Sequence, residues 1–359
     1  MMPRRLVIAI LALTCAVTLC AQVRKSVKRN FVRGADISWC TEMEADGRKF
    51  YDAQGHETDI FALLKQLGFN AIRLRVWVNP SAYGYGPWCD KVDVLNKARR
   101  AYKQGLDLMI DFHYSDFFAD PGKQIMPLEW RGLTYEQLLS AVANHTRDVL
   151  QALKDEGIEP RWVQVGNETV CGMLHPVGKI EWKVSNIGFV DYVPLSNAGY
   201  DAVKEVFPNA TVIIHMGNTS QATWFFPDFL AECGKVDMIG VSFYPNPEQW
   251  NSKLVSDIHS NIIAAQQIRA TVAAFGLPVM LCETGFDVRE PDLGRVALQD
   301  LINRLSAITN CEGAFFWEPE TDGVWVPSYY KTLGWTAYPM GGFTPDGKPT
   351  SVLEAFGAP

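Results

Sequence analysis

Two glutamates form the pair of residues that could carry chemistry in this sequence. Glu168 ends one strand-like run, directly after Asn167, and Glu283 ends another run much later in the chain. Two facing carboxyl groups suit glycoside hydrolysis, because one acid protonates the leaving oxygen while the other carboxylate attacks the anomeric carbon or activates water. The alternative is a structural pair of carboxylates without chemistry.

Further polar and aromatic residues stand at or just beyond the ends of the other strand-like runs. Arg73, on the second run, could keep one glutamate ionised, because a nearby cation lowers the pKa of an acid. Tyr244 could do similar work by hydrogen bonding. The candidate substrate-binding residues at these positions are Asp36, Arg73, His113, Asp116, Asn167, His215, Tyr244 and Trp317.

Eight apolar strand-like runs alternate with helical segments and must position these residues. The runs cover residues 31–37, 71–76, 106–112, 162–165, 211–215, 238–243, 278–282 and 313–317. Helical periodicity ends at Gly68 in one intervening segment and at Gly157 in another, as expected of helix C-termini. Strands that are apolar throughout and separated by helices suit a parallel sheet covered on its faces.

The pattern predicts an α/β fold, a single (β/α)8 TIM barrel with extended βα loops over residues 22–359. Catalytic groups of such barrels gather at the C-terminal ends of the strands, where the candidate residues stand. An open doubly wound sheet is the second possibility. Its dinucleotide-binding signature, GxGxxG after the first strand, is missing from this sequence.

Composition excludes several classes of protein. Of the 359 residues, 48% are hydrophobic and 20% are charged, which indicates a globular chain with a substantial core. The net charge of −7 makes nucleic acid an unlikely partner. Eleven tryptophans supply flat apolar faces on which sugars could stack, although most tryptophans in proteins simply pack in the core.

The N-terminus has the pattern of a secretory signal peptide, residues 1–21. Arg4 and Arg5 precede the apolar run Leu6–Leu19, which is too short to span a bilayer. We therefore expect export to the periplasm, the cell surface or the medium, with cleavage after Ala21. Lipidation at Cys20 would anchor the protein instead, but Leu19 stands where a lipid-attachment motif has a small residue.

The cysteines beyond the signal peptide lie in an oxidising compartment if the chain is exported. None has the close spacing of a zinc site. Cys282 and Cys311 adjoin apolar runs and are expected to be buried thiols. Cys40 and Cys89 are the first candidates for a disulfide, because both are expected in loops on the same face of the barrel.

At the strand ends the sequence resembles the arabinogalactan endo-β-1,4-galactanases of glycoside hydrolase family 53, within the clan A retaining (β/α)8 glycosidases. The phrases RxRVWVNP and HxSDxxADP are the most family-specific, and the matches occur in family order over nearly the whole mature chain. The matching stretches are residues 33–38, 72–80, 111–116, 119–121, 165–168, 240–245, 282–284 and 316–319.

This resemblance implies endo-hydrolysis of β-1,4-galactan by a retaining double displacement. Glu168 would be the general acid/base and Glu283 the nucleophile, with carboxyl groups about 5–5.5 Å apart rather than about 9 Å as in inverting enzymes. Asn167 would hydrogen-bond the sugar 2-hydroxyl. Arg73 and Tyr244 would hold Glu283, His113 and His215 would line the site around the acid/base, and Trp317 would lie under the sugar in the −1 subsite.

The chain departs from the family pattern at two aromatic positions, where Phe118 and His175 replace tryptophans. Some bacterial members bind calcium in the loop after the seventh strand, but here Arg289 interrupts that loop, so a calcium ion is not supported. We expect no metal in the active site and no required cofactor. The expected partners are galactan and galacto-oligosaccharides, and the expected state is a monomer.

Two other functions remain open at this point. A β-mannanase or β-glucanase of the same clan would share both glutamates. A non-catalytic, exported glycan-capture protein would use the aromatic cleft for binding alone, but it would be free to lose Glu168, Glu283, Asn167 or Arg73, and all four are present.

Overall fold

The computed structural model describes residues 31–181, 188–245 and 254–357, and the predicted signal peptide with Cys20 lies outside them. Eight parallel strands close into a barrel, in which the last strand pairs with the first. The predicted (β/α)8 barrel is confirmed, and the open sheet is excluded because the barrel is closed. The barrel strands are Val32–Asp36, Ala71–Val76, Asp107–Phe112, Trp162–Val165, Thr211–Met216, Met238–Ser242, Val279–Thr284 and Cys311–Trp317.

Helices follow the strands and cover the outside of the barrel. Those of the described residues are α1 (Cys40–Ala45), α2 (Ile60–Gln66), α3 (Lys91–Lys103), α4 (Tyr135–Asp155), α5 (Phe189–Val206), α6 (Ala222–Ala231), α7 (Leu254–Phe275), α8 (Pro291–Ser306) and α9 (Ser328–Leu333). None of them is both long and apolar enough to cross a membrane.

Local sequence signals explain where the two predicted helices begin and end. The Asp59 side chain accepts hydrogen bonds from the first turn of α2, and Thr134 and Gln137 form a reciprocal capping box at the start of α4. Gly68 and Gly157 follow these helices with φ of 99° and 71°, in the left-handed region that glycine adopts without strain. Both predicted helix ends are therefore confirmed.

The barrel interior has an apolar layer and, above it, a polar layer. The apolar cluster inside the barrel includes Val32, Ala71, Met109, Trp162, Ile213, Met238, Met280, Cys282 and Phe315. Side chains two residues apart on a strand point to the same face. On each of the second to fifth strands, the residue two positions after the apolar one also points into the barrel, and it is polar. These polar residues are Arg73, Asp111, Gln164 and His215.

A glycine makes room for the largest ring of the apolar layer. A Cβ atom at Gly34 would lie 2.2 Å from the Phe315 ring, so a larger residue on the first strand would displace that ring. The opposite strand faces pack under the helices in the main hydrophobic core. The polar layer thus rests on a close-packed apolar layer that holds it in place.

The thiols differ in part from expectation. Cys282 and Cys311 are buried, as predicted. The disulfide expected between Cys40 and Cys89 is not formed, and both are buried free thiols. Cys89 lies instead beside the Lys97 ammonium, with Nζ 3.8 Å from its Sγ atom, and its own Sγ is 3.6 Å from the Ser38 carbonyl oxygen.

Candidate active site

Glu168 and Glu283 meet across the mouth of the barrel. Glu168 lies in the turn after the fourth strand, where Gly166 has a φ of 82° and Glu168 itself a φ of 48°. Non-glycine residues in that conformation are uncommon and cluster at functional sites. A carboxylate oxygen from each glutamate and a ring nitrogen of His215 all lie within 4.8 Å of one another. This short separation fits the retaining geometry better than the wider spacing of about 6.5–9.5 Å in inverting enzymes.

Arg73 is the buried centre around which the site is built. Its guanidinium lies 2.8 Å from Asp36 Oδ2, 2.8 Å from Asp111 Oδ2 and 3.0 Å from Glu283 Oε1. It also donates to Asn167 Oδ1 at 2.8 Å. The planar fork of arginine is suited to holding several acceptors at fixed angles, so this one side chain fixes residues from four strands.

The balance of charge around Arg73 determines which glutamate keeps a proton. Burial alone would lower the pKa of Arg73, but Asp111, Glu283 and Asp36 raise it, so the guanidinium stays charged. One cation faces three carboxylates, and Glu168 would add a fourth. Crowding by protein atoms, and then the charge of Glu283, raise the pKa of Glu168 well above its usual range. Glu168 is therefore the carboxyl group that holds the proton.

Glu283 has partners that favour its ionised form. Burial raises the pKa of Glu283, and Arg73 opposes that effect most strongly. The Tyr244 hydroxyl donates to Glu283 Oε2 at 3.1 Å and opposes it as well. Each carboxylate oxygen thus has one cationic or hydroxyl donor, and the side chain is only 8% exposed. A carboxylate held this way is oriented for attack on a carbon centre.

Glu168 is tied to a neutral histidine through a serine hydroxyl. Ser242 Oγ donates to Glu168 Oε1 at 2.6 Å and lies 3.0 Å from His215 Nε2. Burial, and then the charge of Arg73, lower the pKa of His215 well below its usual range, so the ring is uncharged. The expected position of His215 beside the acid/base is thus observed, although the contact to the carboxylate oxygen is made through Ser242.

Asn167 is oriented so that its amide faces the site. Its Oδ1 accepts hydrogen bonds from Arg73 at 2.8 Å and from Gln164 Nε2 at 2.9 Å, and its Nδ2 donates to the Ala119 carbonyl at 2.8 Å. An amide nitrogen carries two N–H groups. The second N–H makes no hydrogen bond to the described residues, and its contact with a sugar 2-hydroxyl stays a prediction.

Three predicted substrate contacts lie in supporting positions instead. Asp36 is fully buried and binds Arg73 and Ser38. The ring nitrogens of His113 are 3.0 Å from Asp111 and 3.0 Å from the Ala119 amide nitrogen. Asp116 accepts backbone N–H groups of its own loop and the preceding one. These residues orient the loops and the arginine, because their polar atoms are already hydrogen-bonded inside the protein.

Trp317 belongs to a group of aromatic side chains on one side of the mouth. Its ring centroid lies 4.7 Å from that of Tyr338, 5.8 Å from Trp39 and 6.1 Å from Phe118. Trp317 and Tyr338 are partly exposed, whereas Trp39 is buried. Burial, and then the charge of Glu283, raise the pKa of Tyr338 well above its usual range, so the Tyr338 hydroxyl lies within electrostatic range of the nucleophile candidate.

A second buried arginine supports this aromatic group from below. The Arg75 guanidinium carbon lies 4.5 Å from the Phe118 ring centroid and 5.1 Å from those of Trp39 and Trp77. Arg75 also pairs with Glu318, which is fully buried. Burial raises the pKa of Glu318 to about 7. Because Glu318 is fully buried and paired with Arg75, it is not a candidate for the catalytic pair.

Sequence reasoning did not assign roles to several residues of the site. Asp111 and Gln164 complete the shell of Arg73, Ser242 holds Glu168, and Tyr338 packs against Trp317. The two-residue spacing from the apolar layer could have indicated Asp111 and Gln164. Tyr338 carries no such signal, because it comes from the long loop after the eighth strand.

Several known proteins resemble this chain in sequence and in fold. The family model described as glycosyl hydrolase family 53 matches residues 32–356. The endo-β-1,4-galactanase of Bacillus subtilis is 30% identical, covering 86% of this chain and 73% of its own length. The arabinogalactan endo-β-1,4-galactanase of Cellvibrio japonicus is 30% identical, covering 90% and 89%. A solved catalytic domain from Ignisphaera aggregans superposes with a TM-score of 0.75 at 28% identity, covering 91% and 95%.

Proposed function

Because this chain belongs to glycosyl hydrolase family 53, we propose that it is an endo-acting hydrolase of β-1,4-linked galactan, the polymer of pectic arabinogalactan side chains. Relatives that cover most of its length carry the name endo-β-1,4-galactanase. The observation that supports catalysis most directly is the pair of facing glutamates, of which Glu283 is held by Arg73 and Glu168 by Ser242.

In the first step Glu283 attacks the anomeric carbon of the sugar in the −1 subsite. The bond from that carbon to the leaving oxygen breaks, and Glu168 gives its proton to this oxygen. A covalent ester between the sugar and Glu283 results. In the second step Glu168, now ionised, takes a proton from water, and the hydroxide oxygen displaces Glu283 from the anomeric carbon. Two inversions leave the configuration unchanged.

The other residues of the site assist these steps without forming bonds to the sugar carbon. Arg73 and Tyr244 hold Glu283 in its ionised form and aim it. The free N–H of Asn167 serves the 2-hydroxyl of the sugar under attack, and Trp317 with Tyr338 forms the wall beside it. His215 and Ser242 hold the acid/base on the side opposite its transferable proton.

The charge arrangement argues against a protein that only captures glycans. Neutral sugars bind through hydrogen bonds and stacking and require no buried carboxylates. Placing carboxylates in a crowded site costs free energy, because burial opposes their charged forms. Keeping Glu168 and Glu283 within 4.8 Å is therefore costly for binding alone and useful for a double displacement.

The decisive experiment measures reducing ends released from debranched pectic galactan, β-mannan and β-glucan. We expect oligosaccharides from galactan alone. Glu283→Gln should lower the rate by several orders of magnitude, because it removes the nucleophile. Glu232→Gln, an exposed glutamate at the end of α6, is the matched control and should retain full activity.

Each alternative has its own outcome in this experiment. Cleavage of mannan or glucan in place of galactan would keep the retaining mechanism and reject the substrate. Galactan that binds without being cut would favour the capture protein. A 2-fluoro galactoside that traps the covalent ester should label Glu283, and a label on another residue would reject the assignment of the nucleophile.

No metal or other cofactor is needed for this mechanism. The atoms of Glu168, His215 and Glu283 are close enough to share a metal ion, but the Arg73 guanidinium already supplies positive charge 3.0 Å from Glu283. In the loop after the seventh strand Arg289 donates to both carboxylate oxygens of Asp287 and brings a positive charge to that loop. Activity should therefore survive dialysis against a chelator.

Export of a monomeric enzyme completes the proposal, since its polymeric substrate lies outside the cell. The sequence of residues 1–21 supports a cleaved signal peptide, with a lipid anchor at Cys20 as the alternative. N-terminal sequencing of the mature protein should begin at Gln22. Labelling with a radioactive fatty acid would reveal the anchor, and light scattering should give the mass of one chain.

A further inference from the structure

A row of aromatic rings leaves the mouth of the barrel across the loops that follow the third and second strands. It begins at Trp317, whose centroid is 6.1 Å from that of Phe118. Phe118 is 6.3 Å from Phe117, and Phe117 is 5.9 Å from Tyr85. The row ends at Tyr83, 5.6 Å from Tyr85. The rings pack from the proposed −1 subsite to the rim of the barrel; Phe117 is buried within the row, and at the rim Tyr83 and Tyr85 are partly exposed.

The outer two rings are ordered and partly exposed. The planes of Tyr83 and Tyr85 are parallel to within 5°, and both side chains keep part of their surface open to solvent. Gly84, between them, has a φ of 75° and turns the chain so that both rings lie on the same side. The buried Tyr329 ring supports Tyr85 at 5.4 Å, and Arg131 donates to the Tyr83 hydroxyl at 3.2 Å.

The starting point of the row indicates which part of a galactan chain it would meet. The fourth and eighth strands are opposite each other in the closed barrel, so Trp317 faces Glu168 across the mouth. In the −1 subsite the anomeric carbon points to the glutamates. The next sugar on the non-reducing side is linked through O4, at the far end of the ring from that carbon. It therefore lies away from Glu168, where the row begins.

We propose that Tyr83 and Tyr85, the tyrosine platform, bind a galactan chain on its non-reducing side, several sugars away from the cleaved bond. This inference rests on the proposed function. Aromatic rings offer sugars flat apolar faces, and the tyrosine hydroxyls with Arg131 add polar groups at the edge. The platform then increases affinity for the polymer beyond what the subsites next to the glutamates supply.

The test compares a long substrate with a short one. The double variant Tyr83→Ala/Tyr85→Ala is assayed on polymeric debranched galactan and on an aryl β-galactobioside, which is too short to reach the rim. The ratio of kcat/KM, polymer over short substrate, should fall about five- to tenfold, mainly through KM for the polymer. Tyr102→Ala removes a tyrosine that is 60% exposed on α3 and should leave the ratio unchanged.

Two further measurements keep the result unambiguous. Tyr83→Ser alone, at the outer end of the row, should lower the ratio in the same direction without disturbing the packing on Tyr329. In a Glu283→Gln background, loss of the platform should reduce the retardation of the protein in gels that contain galactan. An unchanged ratio in both tyrosine variants overturns the platform and leaves the hydrolase intact. A wild type that cuts no galactan rejects the proposed function and the platform with it.

Discussion

Replacing Ser242 with alanine tests how the site controls the proton of Glu168. The Ser242 hydroxyl donates to Glu168 Oε1 at 2.6 Å, and this hydrogen bond lowers the pKa of Glu168, although burial and Glu283 outweigh it. A donor to a carboxylate favours the charged form. Its removal should therefore raise the pKa of Glu168, so the acid keeps its proton to a higher pH.

The size of the effect follows from the strength of that hydrogen bond. Hydrogen bonds to charged groups contribute about 1.5–3 kcal/mol, and a tenfold change in a proton equilibrium is about 1.4 kcal/mol. Water entering the space left by the hydroxyl would restore part of this. We expect the alkaline limb of the pH profile to move upward by about half to one pH unit, with a loss of less than about tenfold in peak rate because both glutamates remain.

The assay is kcat/KM for an aryl β-galactobioside between pH 4 and pH 9, which reports on the free enzyme. Ser260→Ala, which removes a hydroxyl that donates to a backbone carbonyl on α7, is the control and should leave both limbs in place. An alkaline limb of Ser242→Ala that stays fixed, or that moves to lower pH, would refute the role given to this hydroxyl.

Three further substitutions probe the stability and shape of the site. Glu168→Gln should stabilise the fold by about 1 kcal/mol at pH 7. Because the pKa of Glu168 is raised in the folded state, this group stabilises the fold at low pH and loses that contribution as pH rises through the folded-state pKa. The gain in Tm should therefore vanish near pH 4, and a gain that persists there contradicts the argument. Arg73→Lys keeps the charge but not the planar guanidinium, and urea unfolding should show that the free energy of unfolding falls by about 3 kcal/mol. The acid limb of the pH–rate profile should move to higher pH, because Glu283 loses a partner that lowers its pKa. An acid limb that does not move would contradict this. Gly217→Ala places a Cβ atom 2.8 Å from Pro121 and 3.6 Å from the Glu168 carboxyl carbon. We expect kcat/KM to fall about tenfold with little change in Tm, because the new methyl group displaces Glu168. Full activity would show that Pro121 moves aside without displacing Glu168.

The architecture and the central pair of residues could be predicted because they depend on local patterns. Each barrel strand is a short apolar run, and its C-terminal end lies at the end of the barrel where catalytic groups gather. Glu168 and Glu283 follow from that rule, since the fourth and seventh strands deliver them to the same end. Gly68 and Gly157 similarly mark helix ends through their own backbone preference.

The roles of the surrounding residues could not be predicted from the same patterns. Asp36, His113 and Asp116 also stand at strand ends, yet their polar atoms are occupied by Arg73, Asp111 and backbone groups. Position in the sequence indicates which end of the barrel a side chain reaches. It does not indicate whether another side chain lies between that side chain and the cleft.

By itself the sequence determined the alternation of strands and helices and favoured a barrel whose chemistry gathers at one end, because these depend on hydrophobic periodicity and chain connectivity. The tertiary structure alone decided the contacts between distant strands. It placed one arginine among three carboxylates, put Ser242 against Glu168, and left Cys40 and Cys89 as free thiols. Protonation and orientation depend on distances of a few ångströms between residues far apart in the chain, and only folding sets those distances.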